Sequence, residues 1–387
     1  MRMPGVGVTM VLLLAAGNIG AGEPGPKPLR LGIAGLSHSH VHGVLGRTGT
    51  DVRIVGIAEP NRELAERYAK RYGLDTGLLF GSLEEMLAAA KPEAVAAFGP
   101  TDAHRAVVEA CAPRGVHVMV EKPLAFDAGE ALAMQALAER HRIHLLTNLE
   151  TTWYPSVHAA RALVREGAVG EIRKVVVHDG HRGPKEIGVE PEFFAWLTDP
   201  VRNGGGALTD FGCYGANLTT WLMQGESPQT VTSVTQQLKP AVYPRVDDEA
   251  TIVLTYPRAQ AILQASWNWP VSRKDMEVYG ERGYVLAPDR STIRLRRDES
   301  GPEEVLRLEA RPSPLGDPFA HLAAVVHGEV VVEPEDLSAL ANNVTVARIL
   351  DAARQSARTG RTVRLTAVLP TRYLGQSQPK APAVSRP

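Results

Sequence analysis

An apolar run at Val116, Val118, Met119 and Val120 ends on Glu121-Lys122-Pro123. A charged pair closing a buried strand, just ahead of the fixed backbone angle of a proline, places an ammonium at the carboxyl end of a sheet. Ligands of open α/β sheets sit in the crevice beyond that end, so Lys122 reads either as a working group or as an incidental surface charge. Further along, Asp210 and Tyr214 follow a Gly204-Gly205-Gly206 turn at positions i and i+4, on one face of an expected helix. Near a helix N-terminus a carboxylate is stabilised. A phenol with its ordinary pKa near ~10 is a poor base at neutral pH, and a neighbouring ammonium would favour the phenolate. The competing reading of Tyr214 is an ordinary packed helix aromatic.

The first expected strand, Leu29 to Ala34, runs into the loop Gly35-Leu36-Ser37-His38-Ser39-His40. A dinucleotide fingerprint would want glycines at 35, 37 and 40, and only Gly35 fits. Ser37 still lets a backbone approach a pyrophosphate, less freely than glycine. The loop lies between a strand and a helix N-terminus, where N–H groups and the helix dipole favour phosphate. Glu59 ends the second strand close to the ~20-residue offset at which a carboxylate holds a ribose 2′-hydroxyl. A carboxylate there repels a 2′-phosphate, which favours NAD, while Arg62 keeps NADP open. His38, His40 and His42 crowd this loop, but no Cys or carboxylate joins them in sequence at ligand spacing. No metal is expected, and they read as polar groups beside a dinucleotide.

These groups need a scaffold. Strands at Leu29–Ala34, Asp51–Ala58, Ala94–Phe98, Val116–Val120 and His144–Thr147 alternate with helices at Asn61–Tyr72, about Asp102–Ala112 and Ala128–His141. His42–Leu45 begins a helical crossover, and Ser82–Glu85 reads as a capping box opening a short helix over Met86 and Leu87. Asn61 serves as N-cap and Gly73 as stop, with Glu63–Arg67 and Glu66–Lys70 as i,i+4 pairs. The alternation predicts a Rossmann-like parallel sheet with right-handed crossovers. From Pro155 the pattern changes. A helix over Ser156–Glu166, a strand at Ile172–His178, a polar loop and a helix over Ala207–Met223 lead into strands at Thr230–Gln237, Ala250–Tyr256, Ala261–Trp269, Met276–Tyr279 and Tyr284–Ala287. Runs of strands with little helix between them predict an α+β domain with a large, mostly antiparallel sheet. A helix over Pro334–Thr359, stopped by Gly360, closes the fold, and no internal repeat is visible.

The 387 residues are 44% hydrophobic with net charge −1, enough for two cores and without a basic run to engage nucleic acid or an anionic membrane. Two cysteines, Cys111 and Cys213, form no disulfide framework and read as buried thiols. Met1-Arg2-Met3, the apolar stretch from Val6 to Ala16 and the small residues through Gly22 have the layout of a signal peptide over 1–22; an uncleaved anchor is the alternative. Beyond the linker Glu23–Pro28, the expected division is a dinucleotide-binding domain over 29–150, a substrate and oligomerisation domain over 151–366 and a disordered tail over 367–387.

The motifs occur in a recognisable order: the glycine-containing loop, Glu59, Pro100-Thr101-Asp102-Ala103-His104, Glu121-Lys122-Pro123, and Gly204-Gly205-Gly206-Ala207-Leu208-Thr209-Asp210-Phe211-Gly212-Cys213-Tyr214. Over roughly residues 29 to 366 the chain resembles the Gfo/Idh/MocA oxidoreductases, which include glucose-fructose oxidoreductase and inositol dehydrogenase. The resemblance implies tightly bound nicotinamide at the carboxyl edge of the Rossmann sheet, covered by the C-terminal sheet, which often builds the oligomer. It makes Lys122 the catalytic lysine and Asp210 its partner. Many members carry a histidine four residues after that aspartate, where Tyr214 stands here, as in the glucose-fructose oxidoreductase-like and dihydrodiol dehydrogenase-like members. The expectation is that Tyr214 exchanges the proton, Lys122 tunes it and bonds the substrate oxygen, and Asp210 orients the pair. Glu121 and Asn148 fall on the cofactor side. Thr101 and His104 either face nicotinamide or cap a helix. Trp196 matches a family tryptophan and is expected on the substrate side, but the arginine that often follows it is Leu197.

Trp153, Tyr154, Asp179, His181 and Arg182 lie where members line the substrate pocket, and aromatic faces with mixed donors and acceptors suit a sugar. Trp267 and Trp269 share one face of a strand end and read as packing or an oligomer contact. Export bears on the cofactor: free NAD is not expected outside the cytoplasm, so a dehydrogenase there would retain and recycle it. That leaves a two-substrate oxidoreductase on a sugar, polyol or glycoside hydroxyl, a redox-neutral glycoside hydrolase or lyase using transient oxidation, or a non-catalytic carbohydrate-binding protein. A homo-oligomer is expected from the open second sheet.

Overall fold

The structure, a computed structural model, describes residues 27–365. The expected signal peptide and C-terminal tail lie outside the described residues. Strands β1 (Leu29–Ala34), β2 (Val52–Ala58), β3 (Leu79–Phe80), β4 (Ala94–Ala97), β5 (His117–Glu121) and β6 (Leu145–Asn148) form a six-stranded parallel sheet in the order β3-β2-β1-β4-β5-β6. Helices α1 (Val41–Leu45), α2 (Arg62–Tyr72), α3 (Leu83–Ala90), α4 (His104–Cys111) and α5 (Ala128–His141) make the crossovers. The strand order reverses between β1 and β4, and at such a switch point a crevice opens beyond the strand ends. Local signals act as expected where they can. The Asn61 side chain accepts the Leu64 N–H at 3.1 Å, and Gly73 ends α2 in the left-handed region. The ion pairs of α2 differ from expectation, however: Arg62 binds Glu66, and Arg67 reaches Glu192 across the molecule.

The second half contains α6 (Pro155–Arg165), β7 (Ile172–Gly180), α7 (Pro184–Ile187), α8 (Pro191–Leu197), α9 (Pro200–Asn203) and α10 (Ala207–Leu222). There follow β8 (Thr230–Gln236), β9 (Glu249–Thr255), β10 (Gln260–Ser266), β11 (Arg273–Gly280), β12 (Tyr284–Ala287), β13 (Thr292–Arg296) and β14 (Glu304–Arg307), then α11 (Pro318–Val326), α12 (Leu340–Thr359) and β15 (Val363–Arg364). The sheet has nine strands in the order β14-β13-β12-β11-β7-β10-β9-β8-β15, antiparallel except for the β7–β10 pair. Its inner face alternates: Val175 and Val177, Ile252 and Leu254, Leu263, Met276 and Val278 are all buried. That face packs on α10, every residue of which is buried, and on α12. A helix buried all round is one wedged between layers.

Three departures from the sequence expectation have physical causes. The stretch read as a polar loop before Gly204 holds α7, α8 and α9, each with proline at its start. Helix α12 begins at Leu340, because the carbonyls of Leu337 and Ser338 are taken by Asn217, Asn343 and the Thr147 N–H. Helix α11, not anticipated, packs Phe319, Leu322 and Val325 into the same buried cluster as β1.

Candidate active site

Strand β5 ends at Glu121, and Lys122 projects from its carboxyl end toward the first turn of α10. That turn is held from a distance: Asp247 accepts the N–H of Gly206 at 3.0 Å and of Leu208 at 2.7 Å, capping the helix. A Cβ on Gly206 would sit 1.7 Å from the Asp247 carbonyl oxygen, so only glycine permits this approach. With its N-terminus thus satisfied, α10 turns Asp210 onto Lys122 as a direct ion pair, their side chains 5% and 6% exposed. The second Asp210 oxygen accepts the Trp267 indole N–H at 2.9 Å. Burial alone would raise the Asp210 carboxyl and lower the Lys122 ammonium. Each partner outweighs that penalty for the other, so Asp210 is held below its ordinary pKa and Lys122 above.

Tyr214 lies one turn along α10, its ring centroid 5.6 Å from Lys122 Nζ and 4.7 Å from Lys274 Nζ. Among the described residues nothing hydrogen-bonds its hydroxyl, and the residue lines a cavity of about 760 Å³. Burial pushes the phenol well above its usual pKa, and Glu150, Asp210 and Glu121 push it further. The expected lowering by Lys122 is thus absent: its charge is offset by Asp210.

On the dinucleotide side, Gly35 has φ 79°, and a Cβ there would lie 2.9 Å from the Gly99 nitrogen. Glu59 is buried and accepts the Leu36 N–H at 2.8 Å and the Asn61 N–H at 2.9 Å, which holds its carboxylate against the loop. Arg62, expected at the cofactor, is 89% exposed and bound to Glu66. Glu121 does join the histidines, through the fold: His40 Nδ1 lies 2.9 Å and His38 Nε2 3.9 Å from its Oε2, and Asn148 donates to its Oε1 at 2.7 Å. His38 Nδ1 accepts the His40 N–H, so its Nε2 carries the ring proton, which a metal would have to displace. Thr101 neither caps α4 nor lines the cavity; it donates to Asn203 at 3.0 Å. His104 is buried and bonds the Leu124 carbonyl through Nδ1. The glycine cradle, the Glu59 carboxylate at the loop and the buried Nε2 atoms of His38 and His104, unpartnered among the described residues, fit a dinucleotide laid along this crevice.

The segment from α7 to α9 clasps that loop. Glu190 accepts the Ser39 hydroxyl and meets His42 Nε2, both at 2.7 Å, and Trp196 donates to the Ser37 hydroxyl at 3.0 Å. The His38 ring packs on Phe193. Trp196, expected at substrate, therefore belongs to the dinucleotide loop. Tyr154 and His181 line the cavity. Trp153 turns away, donating to Asn148 at 3.0 Å and packing against His321, and Arg182 is exposed outside it. Asp179 lies beneath the cavity wall with both oxygens buried and unpartnered among the described residues, and burial raises its carboxyl far above the ordinary range. Three residues of the site were not foreseen: Lys274, Glu150, and Trp267 as the support of Asp210.

Residues 29–148 match the oxidoreductase family with an NAD-binding Rossmann fold, and residues 157–286 match the GFO/IDH/MocA C-terminal domain. The chain belongs to the Gfo/Idh/MocA family. It is an oxidoreductase with an NAD-binding Rossmann domain, and its relatives include dehydrogenases. Trans-1,2-dihydrobenzene-1,2-diol dehydrogenase of Xenopus tropicalis is 24% identical over 257 residues, 65% of this chain and 72% of that protein. The Bos taurus protein of the same name is 28% identical over 207 residues, 53% of this chain and 57% of that one. Among solved structures of the same fold, aldose-aldose oxidoreductase from Caulobacter crescentus has a TM-score of 0.73 at 24% identity, covering 87% of this chain and 100% of that one. An inositol dehydrogenase homolog complexed with NAD+ from Azotobacter vinelandii has a TM-score of 0.74 at 20% identity, covering 88% and 98%.

Proposed function

We propose that this family member oxidises or reduces a hydroxyl-bearing carbon of a sugar, polyol or glycoside, with Tyr214 exchanging the hydroxyl proton. The observation that carries this reading is the placement of Tyr214: it lines the cavity with its hydroxyl unbonded, against the buried Lys122–Asp210 pair at the end of β5. When bound, the nicotinamide supplies the acceptor, or donor, of hydride. The chain's own residues do the rest. Lys122 Nζ donates to the substrate oxygen, held in place by Asp210, which Trp267 holds in turn. Tyr214, its pKa raised, keeps its proton at neutral pH and is an acid ready to protonate a carbonyl oxygen during reduction. In oxidation that proton must first leave, so the forward rate climbs with pH.

The clasp favours a second reading beside simple dehydrogenation. Contacts of Glu190, Glu192 and Trp196 with the dinucleotide-binding half would slow release of a bound cofactor. A retained cofactor suits an exported enzyme that passes hydride between two carbohydrates, or one that oxidises a glycoside transiently, eliminates its substituent and re-reduces the product. A scaffold that binds carbohydrate without turnover would have no use for the Lys122–Asp210–Tyr214 arrangement. The outer face of the nine-stranded sheet, which α10 and α12 leave open, is the surface on which we place self-association.

The test begins with the purified protein: acid releases any bound nucleotide for identification, and the intact protein then meets carbohydrate panels. Net formation of reduced nicotinamide supports a dehydrogenase. Exchange of hydride between two sugars without net reduction supports the two-substrate form, and glycone release without it supports the redox-neutral form. Retained cofactor with no turnover on any panel refutes the catalytic reading.

A further inference from the structure

The motifs readable in the sequence account for one side of Tyr214. The other side is built by sheet register. Lys274 on β11 is the cross-strand partner of Asp179 on β7, and such partners share a face. That face looks toward α10, and Lys274 Nζ comes within 4.7 Å of the Tyr214 ring centroid. Two ammonium–carboxylate pairs thus flank one phenol: Lys122–Asp210, and Lys274–Glu150, whose carboxylate also accepts the Tyr154 hydroxyl. They differ in access. Both line the cavity, but the Lys122 and Asp210 side chains are 6% and 5% exposed, whereas those of Lys274 and Glu150 are 22% and 40% exposed.

A hydroxyl group is at once a donor and an acceptor, and an ammonium beside a carboxylate offers the complement of both. We propose that Lys274 and Glu150 hold the hydroxyl on the carbon next to the one that reacts at Tyr214, so that the site selects vicinal diols within a carbohydrate or cyclic polyol. Neighbouring ring hydroxyls lie about one hydrogen-bond length apart. A substrate with one hydroxyl at Tyr214 therefore carries the next toward the side of the ring where Lys274 stands. This inference rests on the assignment of Tyr214 as the proton-exchanging group.

The experiment uses the full-length protein with its nucleotide bound and two probes, trans-cyclohexane-1,2-diol and cyclohexanol. In Lys274→Met and in Glu150→Gln the preference for the diol, as the ratio of kcat/KM values, is expected to fall on the order of 10- to 100-fold, mainly through KM. Lys274→Arg, which keeps a donor, restores part of it. Tryptophan-fluorescence titration with the diol gives binding directly and should weaken in parallel. Equal losses on both probes would overturn the inference, because Lys274 would then act on the phenol alone, and so would an unchanged ratio. If Lys274→Met does not fold, Glu150→Gln decides by the same ratio. If the wild-type protein turns over no alcohol at all, the functional reading itself fails, and this one with it.

Discussion

Asp210→Asn is the most telling perturbation of this site. It removes one charge from a pair whose side chains are almost wholly buried, and leaves the Lys122 ammonium without a counter-charge. Breaking a buried pair from one side costs about 3–5 kcal/mol. An amide at that position can still accept the Trp267 indole N–H, which points to the lower end, ~3 kcal/mol. At an unfolding entropy of about 2.1 cal/mol/K per residue, that corresponds for a chain of 387 residues to a drop in Tm of roughly 4 °C. Its pH dependence is fixed by sign. Asp210 is held below its ordinary pKa, so the wild-type advantage is present above that ordinary value and lost as pH falls through the depressed one. Lys122 is held above its ordinary pKa, so the advantage is lost again as pH rises through the raised value. The assay is guanidinium unfolding of wild type, Asp210→Asn, Lys122→Met and the double variant, repeated from acid to alkaline pH. The double variant, with no orphaned charge, should recover most of the loss. Strictly additive losses at neutral pH would refute the coupling on which the site geometry is argued.

Tyr214→Phe should lower turnover by about 10²–10⁴-fold while leaving nucleotide binding and Tm near wild type; measured kcat alongside nucleotide content checks both. Wild-type oxidation should speed up from neutral toward alkaline pH as the phenolate fraction of the raised Tyr214 grows, whereas reduction should stay level and fall only as pH approaches the raised phenol value; rates in both directions across pH test the sign. Asp179→Asn should raise stability at neutral pH, because burial raises the carboxyl and folding there must either take up a proton or bury a charge; the gain should vanish below the ordinary aspartate pKa. Gly35→Ala forces a side chain into φ 79° against the Gly99 backbone and should weaken nucleotide binding more than it lowers Tm, read by nucleotide titration of the stripped protein.

The Rossmann half was largely legible because buried parallel strands and capped helices are written locally: β1, the Asn61 cap and the Gly73 stop stand where patterning put them. Asp210 and Tyr214 could be found because they share one helix, and Lys122 because it ends a strand. Lys274 was not legible. Its contact with Tyr214 depends on which strand β11 pairs with and in what register, and no local pattern fixes that. Trp267 could be assigned a strand face but not the carboxylate its indole would meet. Strand β14 escaped because all four of its residues are exposed and show no alternation. Helix α11 did carry a signal, since Asp317 caps it ahead of Pro318 and an apolar run follows.

Helix α12 belongs to two interiors at once. Leu340, Val344 and Ala347 are buried with the parallel sheet, while Val346, Ile349 and Leu350 are buried with the antiparallel one. Neither half of the molecule is therefore self-sufficient: a fragment cut before this helix would bare apolar surface on both sides of the seam. Melting should be a single cooperative event rather than two, and grafting the nucleotide-binding half of a relative onto this chain would need the matching face of α12 to travel with it.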